Sequence, residues 1–262
     1  LLAQVIDVFH HLGGPEAALA EIRARRGSWF DPELVDVVLA LGAHAGFWAG
    51  LRSDDIGDLV QALEPESRAL IVDDELLDRI AEAFSQVVDA KSPYTAGHSE
   101  RVALYTDVLA AKLGIDTDRR RWLKRGALLH DLGKLGVSNS ILDKEGSLTD
   151  EEWREVRLHP VYTEQILSRL QPFHELAVVS AAHHERLDGK GYPKGMVAAE
   201  LTLETRIITL CDIFDAITAE RPYRGPIPVP QALEIIGRMT GTAIDTQCYH
   251  ALLECVHEMQ AG

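Results

Sequence analysis

Apolar positions recur at helical spacing along nearly the whole chain, and almost nothing alternates in the way a strand does. Between 76 and 88, Leu76, Leu77, Ile80, Phe84, Val87 and Val88 mark one face of a helix, and Pro93 breaks it. A second helix over 99–113 ends at Gly114, because glycine takes the left-handed conformation that helix C-termini favour. A third, 118–132, has Asp116 or Thr117 as its cap and carries His130-Asp131 near its end. Thr149-Asp150-Glu151-Glu152 is a capping sequence for a helix that ends near His159. Pro160 suits the first turn of the next helix, 161–170. Further helices follow over 173–184, 203–219, 232–239 and 246–259. Gly189, Gly191, Pro193 and Gly195 mark one long irregular loop, 188–201, of the kind that in compact domains often carries function. The predicted fold class is all-α, a multi-helix bundle.

Composition narrows the options. A chain of 262 residues fits one large domain, or one plus a small one. Lys+Arg number 26 against 41 Asp+Glu, a net charge of −15, which excludes the electrostatic footprint of a duplex nucleic-acid binder. A dianionic substrate would then need local positive charge from bound metals and a few basic residues. Cys211, Cys248 and Cys255 show no framework spacing, and an odd number points to reduced thiols in a cytosol. No apolar run reaches the ~18 residues of a membrane span, and no signal peptide is visible, so a cytoplasmic location without membrane insertion is expected. The chain lacks an initiator methionine, as a piece of a longer protein would. No receiver, ligand-sensing or membrane domain is recognisable, so the regulatory input is not legible.

Chemistry concentrates at His98, His130-Asp131, His159, His183-His184 and Asp212, all in or beside apolar helical stretches. A lone histidine on an apolar face is usually a core residue bonded to a carbonyl, and His10, His11, His44, His174, His250 and His257 read that way or as surface groups. The adjacent pair His183-His184, followed by Glu185, is hard to explain as packing. A bundle that converges five histidines and two aspartates has the donors for two divalent metals. Two such ions suit the cleavage of phosphate esters, with a hydroxide bridging them as nucleophile. Asp131 is the candidate bridge, since a carboxylate has two oxygens to share.

In this order the residues match the ligand pattern of the HD superfamily of metal-dependent phosphohydrolases. The segment His183-His184-Glu185-Arg186-Leu187-Asp188-Gly189-Lys190-Gly191-Tyr192-Pro193 resembles the signature loop of its HD-GYP branch. The resemblance runs from about Asp73 to the C-terminus, which makes 71–262 an HD-GYP catalytic domain and 1–70 a helical N-terminal segment. It implies a bacterial phosphodiesterase that hydrolyses cyclic di-GMP to linear pGpG, as family members do, often on to GMP, with the final product left open between the two. One metal would take His98, His130, Asp131 and Asp212, and the other Asp131, His159, His183 and His184. The mixed donor set suits iron or manganese, with zinc, nickel or cobalt as alternatives. Because the imidazoles must be neutral, affinity should fall in acid.

The resemblance also assigns roles around the metals. Lys134 would place its ammonium on the scissile phosphate, and Arg221 and Arg224 would meet the second phosphate. Tyr192 would stack on guanine or shape the pocket, beside Pro193, and Gly191 would let backbone approach the ligand. Glu185 and Asp188 would fix the loop and orient the ligand histidines. Some family members carry a glutamate four residues before the first ligand histidine and are associated with a third metal. Here that position is Tyr94, so two metals are expected. A homodimer, and recruitment of a diguanylate cyclase through 189–195, complete the expected partners. Two other classes stay open: a hydrolase of another cyclic dinucleotide or phosphoester, and a binding module without catalysis, which would tolerate Asp131→Ala.

A faint repeat lies outside this pattern. Ala18-Leu19, Gly27 and Asp31 repeat the spacing of Ala232-Leu233, Gly241 and Asp245. Upstream, Asp7-Val8-Phe9 resembles Asp212-Ile213-Phe214, with the intervening segment shortened by nine residues. Residues 1–46 thus look like the tail of a degenerate second HD-like unit without Arg221-Pro222-Tyr223-Arg224, and 52–75 like a linker and joining helix. Coincidence among short helices is the alternative. Asp245 reads as structural, since Asp31 recurs where the other site residues do not. Phe47 and Trp48 would serve either a dimer contact or the local core.

Overall fold

The computed structural model describes residues 1–63, 72–92, 96–144, 146–220 and 225–261, with side chains through 258. Among them there is no strand, only three isolated bridges, in keeping with an all-α fold. The chain divides into two compact units, Leu1–Ile71 and Val72–Gly262.

The first unit comprises α1 (Leu2–Ala24), α2 (Pro32–Gly42), α3 (Ala45–Gly50) and α4 (Ile56–Leu63). Two helices run end to end in α1, joined where Gly14 takes a positive φ of 76° ahead of Pro15. A small core gathers Ile6, Ala18, Ile22, Phe30, Val35 and Trp48. The Trp48 indole donates to the Gly42 carbonyl at 2.8 Å and stacks on His10, with centroids 5.0 Å apart. Trp48 and Phe47 therefore complete the local core.

The second unit comprises α5 (Asp74–Asp89), α6 (His98–Lys112), α7 (Thr117–Leu129), a 3-10 turn at Leu132–Gly136, α8 (Asn139–Leu142), α9 (Asp150–Val156), α10 (His159–Leu167), a 3-10 turn at Gln171–Phe173, α11 (His174–Ala181), α12 (Leu203–Thr218), α13 (Val229–Gly237) and α14 (Thr246–Ala261). Side-chain caps start several of these helices. The Asp116 carboxylate accepts from the Arg119 amide at 3.0 Å, and Thr149 with Glu152 forms a reciprocal capping box. In the middle lies α6, packed on α5, α7, α12 and α14, while α10 packs on α11 and on the first 3-10 turn. Leu109, Leu123, Leu129, Leu176, Ile207, Ile208 and Leu210 are fully buried between these helices, each contributing on the order of 2 kcal/mol.

Three of the helix ends that differ from the expected ones lie at site residues. Helix α7 stops at Leu129, so His130 and Asp131 lie in the turn beyond it. The helix begun at Asp150 ends at Val156, and His159 instead opens α10. Helix α11 ends at Ala181, ahead of His183 and His184. The cause is shared: each histidine side chain reaches back to a carbonyl of the last helical turn. Pro93, Tyr94, Arg221 and Arg224 lie outside the described residues.

Candidate metal centre

Helix ends deliver the histidines to one point. His130 Nδ1 lies 2.6 Å from the Ala127 carbonyl, His159 Nδ1 2.7 Å from Val156, and His183 Nδ1 2.6 Å from Ser180. A carbonyl only accepts, so each Nδ1 carries the proton and each Nε2 presents its lone pair. The same contact satisfies a carbonyl left open where a helix stops. His98, first residue of α6, is oriented differently: its Nδ1 meets Asp215 Oδ2 at 2.7 Å. Asp215 is held in turn by Arg101 through Nε at 2.7 Å and Nη2 at 3.0 Å. It lies one turn along α12 from Asp212, on the same buried face.

The five histidines and two aspartates proposed from the sequence come together. Asp131 stands between two groups of nitrogens. Its Oδ2 lies 3.4 Å from His130 Nε2 and 3.7 Å from His98 Nε2, while its Oδ1 lies 3.3 Å from His159 Nε2 and 3.8 Å from His183 Nε2. Asp212 Oδ1 joins the first group, 3.4 Å from His98 and 3.9 Å from His130. His184 completes the second, where His159, His183 and His184 offer donor atoms close enough to hold a metal ion, as do His98, His130 and Asp212. The buried His130 Nε2 and Asp131 Oδ1 have no hydrogen-bond partner. Buried polar atoms are nearly always satisfied, and a cation meets the need of both.

Charge is arranged accordingly. Burial opposes ionisation of Asp131, but Lys134 and His130 hold it well below the usual carboxylate range. Asp212 is likewise held low against burial, chiefly by His98 and His130. Burial works against a charged His98, yet its bonds to Asp212 and Asp215 push it up to about 9. Burial pulls His184 down to about 4. Lys134 Nζ sits 2.5 Å from Asp131 Oδ2 at the partly exposed edge of the centre.

The 188–201 loop closes one side. Tyr192 stacks on His184 with centroids 4.7 Å apart, and the Arg157 guanidinium lies 5.3 Å from the Tyr192 ring centroid. Glu185 fixes the loop by accepting from the Lys194 amide at 2.6 Å and the Met196 amide at 3.0 Å. Asp188 binds Arg186 at 2.9 and 2.8 Å. Orientation of His98, His130, His159 and His183 falls to the helix-end carbonyls and Asp215 rather than to Glu185 or Asp188. At Gly191 the close approach is to the chain itself, since a Cβ there would lie 2.5 Å from Glu185 Cα and 2.6 Å from the His184 carbonyl oxygen. Pro193 follows Tyr192 through a cis bond. Asp245 caps α14 through the Cys248 amide at 3.1 Å and pairs with Arg206 at 2.8 Å.

A family model described as an HD domain matches residues 82–248. The chain belongs to the HD domain family. This HD-domain chain is 54% identical over 257 residues, 98% of its length, to a Vibrio cholerae serotype O1 protein named 3'3'-cGAMP-specific phosphodiesterase 3, and covers 56% of that protein. It is 33% identical over 198 residues, 74% of its length, to the cyclic di-GMP phosphodiesterase response regulator RpfG of Xanthomonas campestris, covering 52% of it. The crystal structure of a cyclic GMP-AMP-specific phosphodiesterase of V. cholerae matches with a TM-score of 0.61 at 52% identity, over 98% of this chain and 59% of that one. The chain thus spans little more than half the length of these relatives. No helix is long and apolar enough to cross a membrane among the described residues.

Asp215, Arg101 and Thr163 are the site residues that sequence reading missed. Thr163 Oγ1 donates to the His130 carbonyl at 3.1 Å and accepts from the Gly133 amide at 2.8 Å, tying α10 to the turn that carries Asp131. Replacing Asp215 with Ala is expected to weaken metal binding about 10- to 100-fold, the usual cost of losing a carboxylate behind a ligand histidine. Competition against a chromophoric chelator measures it, and unchanged affinity would show that Asp215 only braces Arg101.

Proposed function

We propose that this chain is the catalytic region of a metal-dependent phosphodiesterase that opens cyclic dinucleotides, with 3'3'-cyclic GMP-AMP ahead of cyclic di-GMP as substrate. The observation that carries the reading is the position of Asp131, whose two oxygens each face a separate pair of histidine nitrogens. Two divalent ions fit there, one with His98, His130, Asp131 and Asp212, the other with Asp131, His159, His183 and His184. Iron or manganese suits this mixture of imidazole and carboxylate. The preference for the mixed dinucleotide rests on the relative at 54% identity, whose name specifies it, over the 33% relative named for cyclic di-GMP. A homodimer and a diguanylate cyclase partner rest on the family resemblance alone.

When bound, the ions supply Lewis acidity and a water acidified to neutral pH. The protein supplies the rest. Asp131 and Asp212 stay ionised and draw positive charge into an otherwise buried pocket. The helix-end carbonyls fix the Nε2 lone pairs before any ion arrives. Lys134, at the edge of the centre, offers an ammonium to a phosphoryl oxygen, and Tyr192 offers an aromatic face to a nucleobase. In the overall reaction a water oxygen joins phosphorus and the bond to the 3′ oxygen breaks. The leaving oxygen takes a proton, and a linear dinucleotide with a 5′ phosphate results.

The test is turnover of both dinucleotides by protein loaded anaerobically with manganese or ferrous iron. Linear product from 3'3'-cyclic GMP-AMP, with kcat/KM at least about tenfold above that for cyclic di-GMP, is expected, a difference of about 1.4 kcal/mol. A reversed ratio overturns the substrate order. No turnover of either with two metals bound overturns the enzymatic reading and leaves a binding role.

Metal loading should also depend on pH in two stages. His184, held near 4, meets no proton competition above about pH 5, whereas His98, held up to about 9, is protonated at neutrality in the metal-free protein. That protonated form stabilises the metal-free fold fully below the unfolded histidine value of about 6.5, and the contribution is lost as pH rises through about 9. One ion should therefore bind at pH 6 and the second follow as pH rises, with release of about one proton. Calorimetric titration in two buffers of different ionisation enthalpy counts that proton. Simultaneous binding of both ions at pH 6 without proton release would contradict it.

A further inference from the structure

The turn between α1 and α2 is built like the turn between α13 and α14, at a constant separation of 214 positions (18 to 232, 27 to 241, 31 to 245). In the first, the amides of Ser28, Trp29 and Phe30 all donate to the Arg25 carbonyl, at 3.2, 3.0 and 3.2 Å. In the second, the amides of Thr242, Ala243 and Ile244 donate to the Met239 carbonyl, at 3.3, 2.9 and 3.0 Å. Gly27 and Gly241 take φ of 76° and 74°, and each donates at 2.9 Å to the carbonyl three residues on, of Phe30 and of Ile244. The Ser28 and Thr242 hydroxyls both return to the shared carbonyl, at 3.1 and 2.9 Å. Asp31 caps α2 through the Leu34 amide at 3.3 Å, as Asp245 caps α14 through Cys248 at 3.1 Å.

A common helix–turn–helix would account for the turn alone. It would not account for the agreement of burial on either side. Ala18 and Ala232, Ile22 and Ile236, and Phe30 and Ile244 are buried in both copies.

The copies part company on one face. In α14, Cys248, Ala251 and Cys255, with Ala243 in the turn, are 6% exposed or less. Their counterparts Leu34, Val37, Leu41 and Trp29 are between 46 and 60% exposed. Leu34, Val37 and Leu41 follow the i, i+3, i+7 spacing of a stripe built for burial. In the second unit the neighbours of α14 are α6, α12 and α13. The first half of α1, with Asp7-Val8-Phe9 in place of Asp212-Ile213-Phe214, stands for α12, and its second half for α13. Among the described residues, no helix of the first unit stands for α6.

We propose that Trp29, Leu34, Val37 and Leu41 are the seat of an α6-like amphipathic helix, supplied by a part of the same polypeptide outside residues 1–262, and that residues 1–46 are the closing helices of a second, incomplete HD fold. The V. cholerae and Xanthomonas relatives, of which the chain spans 56% and 52%, have the length to hold such a helix. The seat is bulkier than its model in α14, so the incoming helix presents smaller side chains than α6 does, to keep interior packing density. It also lacks the acidic rim of α14. Lys112 of α6 pairs with Glu254 and Glu258 of α14 at 3.0 and 2.7 Å, and the positions matching those glutamates are Ala40 and His44.

Hydrogen exchange on residues 1–262 and on the full natural protein tests this. Amides 34–42 should exchange at least about tenfold more slowly in the full protein. Leu34→Asp with Val37→Asp should lower the melting temperature of the full protein and leave that of 1–262 unchanged, with Leu34→Ser as a milder variant should the first fail to fold. Equal exchange in the two proteins overturns the proposal, as does a natural protein with no residues beyond these. Protection already present in monomeric 1–262 overturns it too. Protection in 1–262 that grows with concentration overturns the assigned occupant and makes it a second copy of this chain.

Discussion

Asp131→Ala should lower turnover by at least about a thousandfold, or about 4 kcal/mol of transition-state stabilisation, and should remove both metals rather than one. The reason is geometric. Among the described residues, Asp131 is the one carboxylate that faces both histidine groups, with Oδ1 toward His159 and His183 and Oδ2 toward His98 and His130. Losing it also leaves the protonated, buried His98, and Lys134 at the edge of the centre, with less opposing charge. Asp131→Asn is the sharper companion, since it keeps the volume and one oxygen while losing the charge. Metal content by elemental analysis and turnover of 3'3'-cyclic GMP-AMP read the two effects separately. A variant that keeps two metals and loses only activity would assign Asp131 to the chemistry and not to metal retention. Full activity would place catalysis elsewhere.

Gly133→Ala should destabilise the second unit by about 3 kcal/mol or more, at the upper end for overpacking, because every atom in the way is backbone. A Cβ at Gly133 would sit 1.9 Å from the His159 carbonyl oxygen and 2.6 Å from the Thr163 amide nitrogen. Neither can rotate aside. At this size the loss corresponds to a fall of about 6–12 °C in melting temperature. Gly126→Ala is the control, since its nearest contact is the flexible end of Leu176 at 2.9 Å. The displaced turn carries Asp131 and the displaced helix end carries His159, so metal affinity should fall with stability. Melting within 2 °C of the parent would mean that α10 and the turn slide apart at little cost.

How much of this was legible in the sequence follows from how each signal is carried. The helices around Leu76, Leu109 and Ile207 announce themselves by apolar spacing, and the caps at Asp116 and Thr149 by residue type. The histidine pair at 183 and 184 has no packing explanation, and the structure places it with His98, His130 and His159. The helix ends near these histidines were misjudged by about three residues because the apolar pattern continues after the backbone has stopped being helical. His130, His159 and His183 take the open carbonyls themselves, a tertiary use of the side chain that spacing does not reveal. Asp215 went unnoticed for a related reason. An aspartate one turn from Asp212 resembles any acidic helix residue until His98, over a hundred positions away, is seen against it. The choice of nucleobase was not legible, and cyclic di-GMP was the default of the resemblance rather than a reading of contacts.

The attachment of the loop has an evolutionary consequence. The nitrogens of His98, His130, His159 and His183 are aimed by three helix ends and by Asp215, none of them part of the 188–201 loop, and only His184 leans on it, through Tyr192. Tyr192, by contrast, belongs to a segment fastened to the centre through the Glu185 carboxylate and the His184 carbonyl. On the proposed reading, most of the metal-holding set and the aromatic face offered to a base are therefore mounted on separate supports, which meet only where Tyr192 stacks on His184. If Tyr192 meets the base as proposed, substitutions elsewhere in the loop change nucleobase preference and leave His98, His130, His159 and His183 in place, a route by which hydrolases of this kind would diversify in substrate.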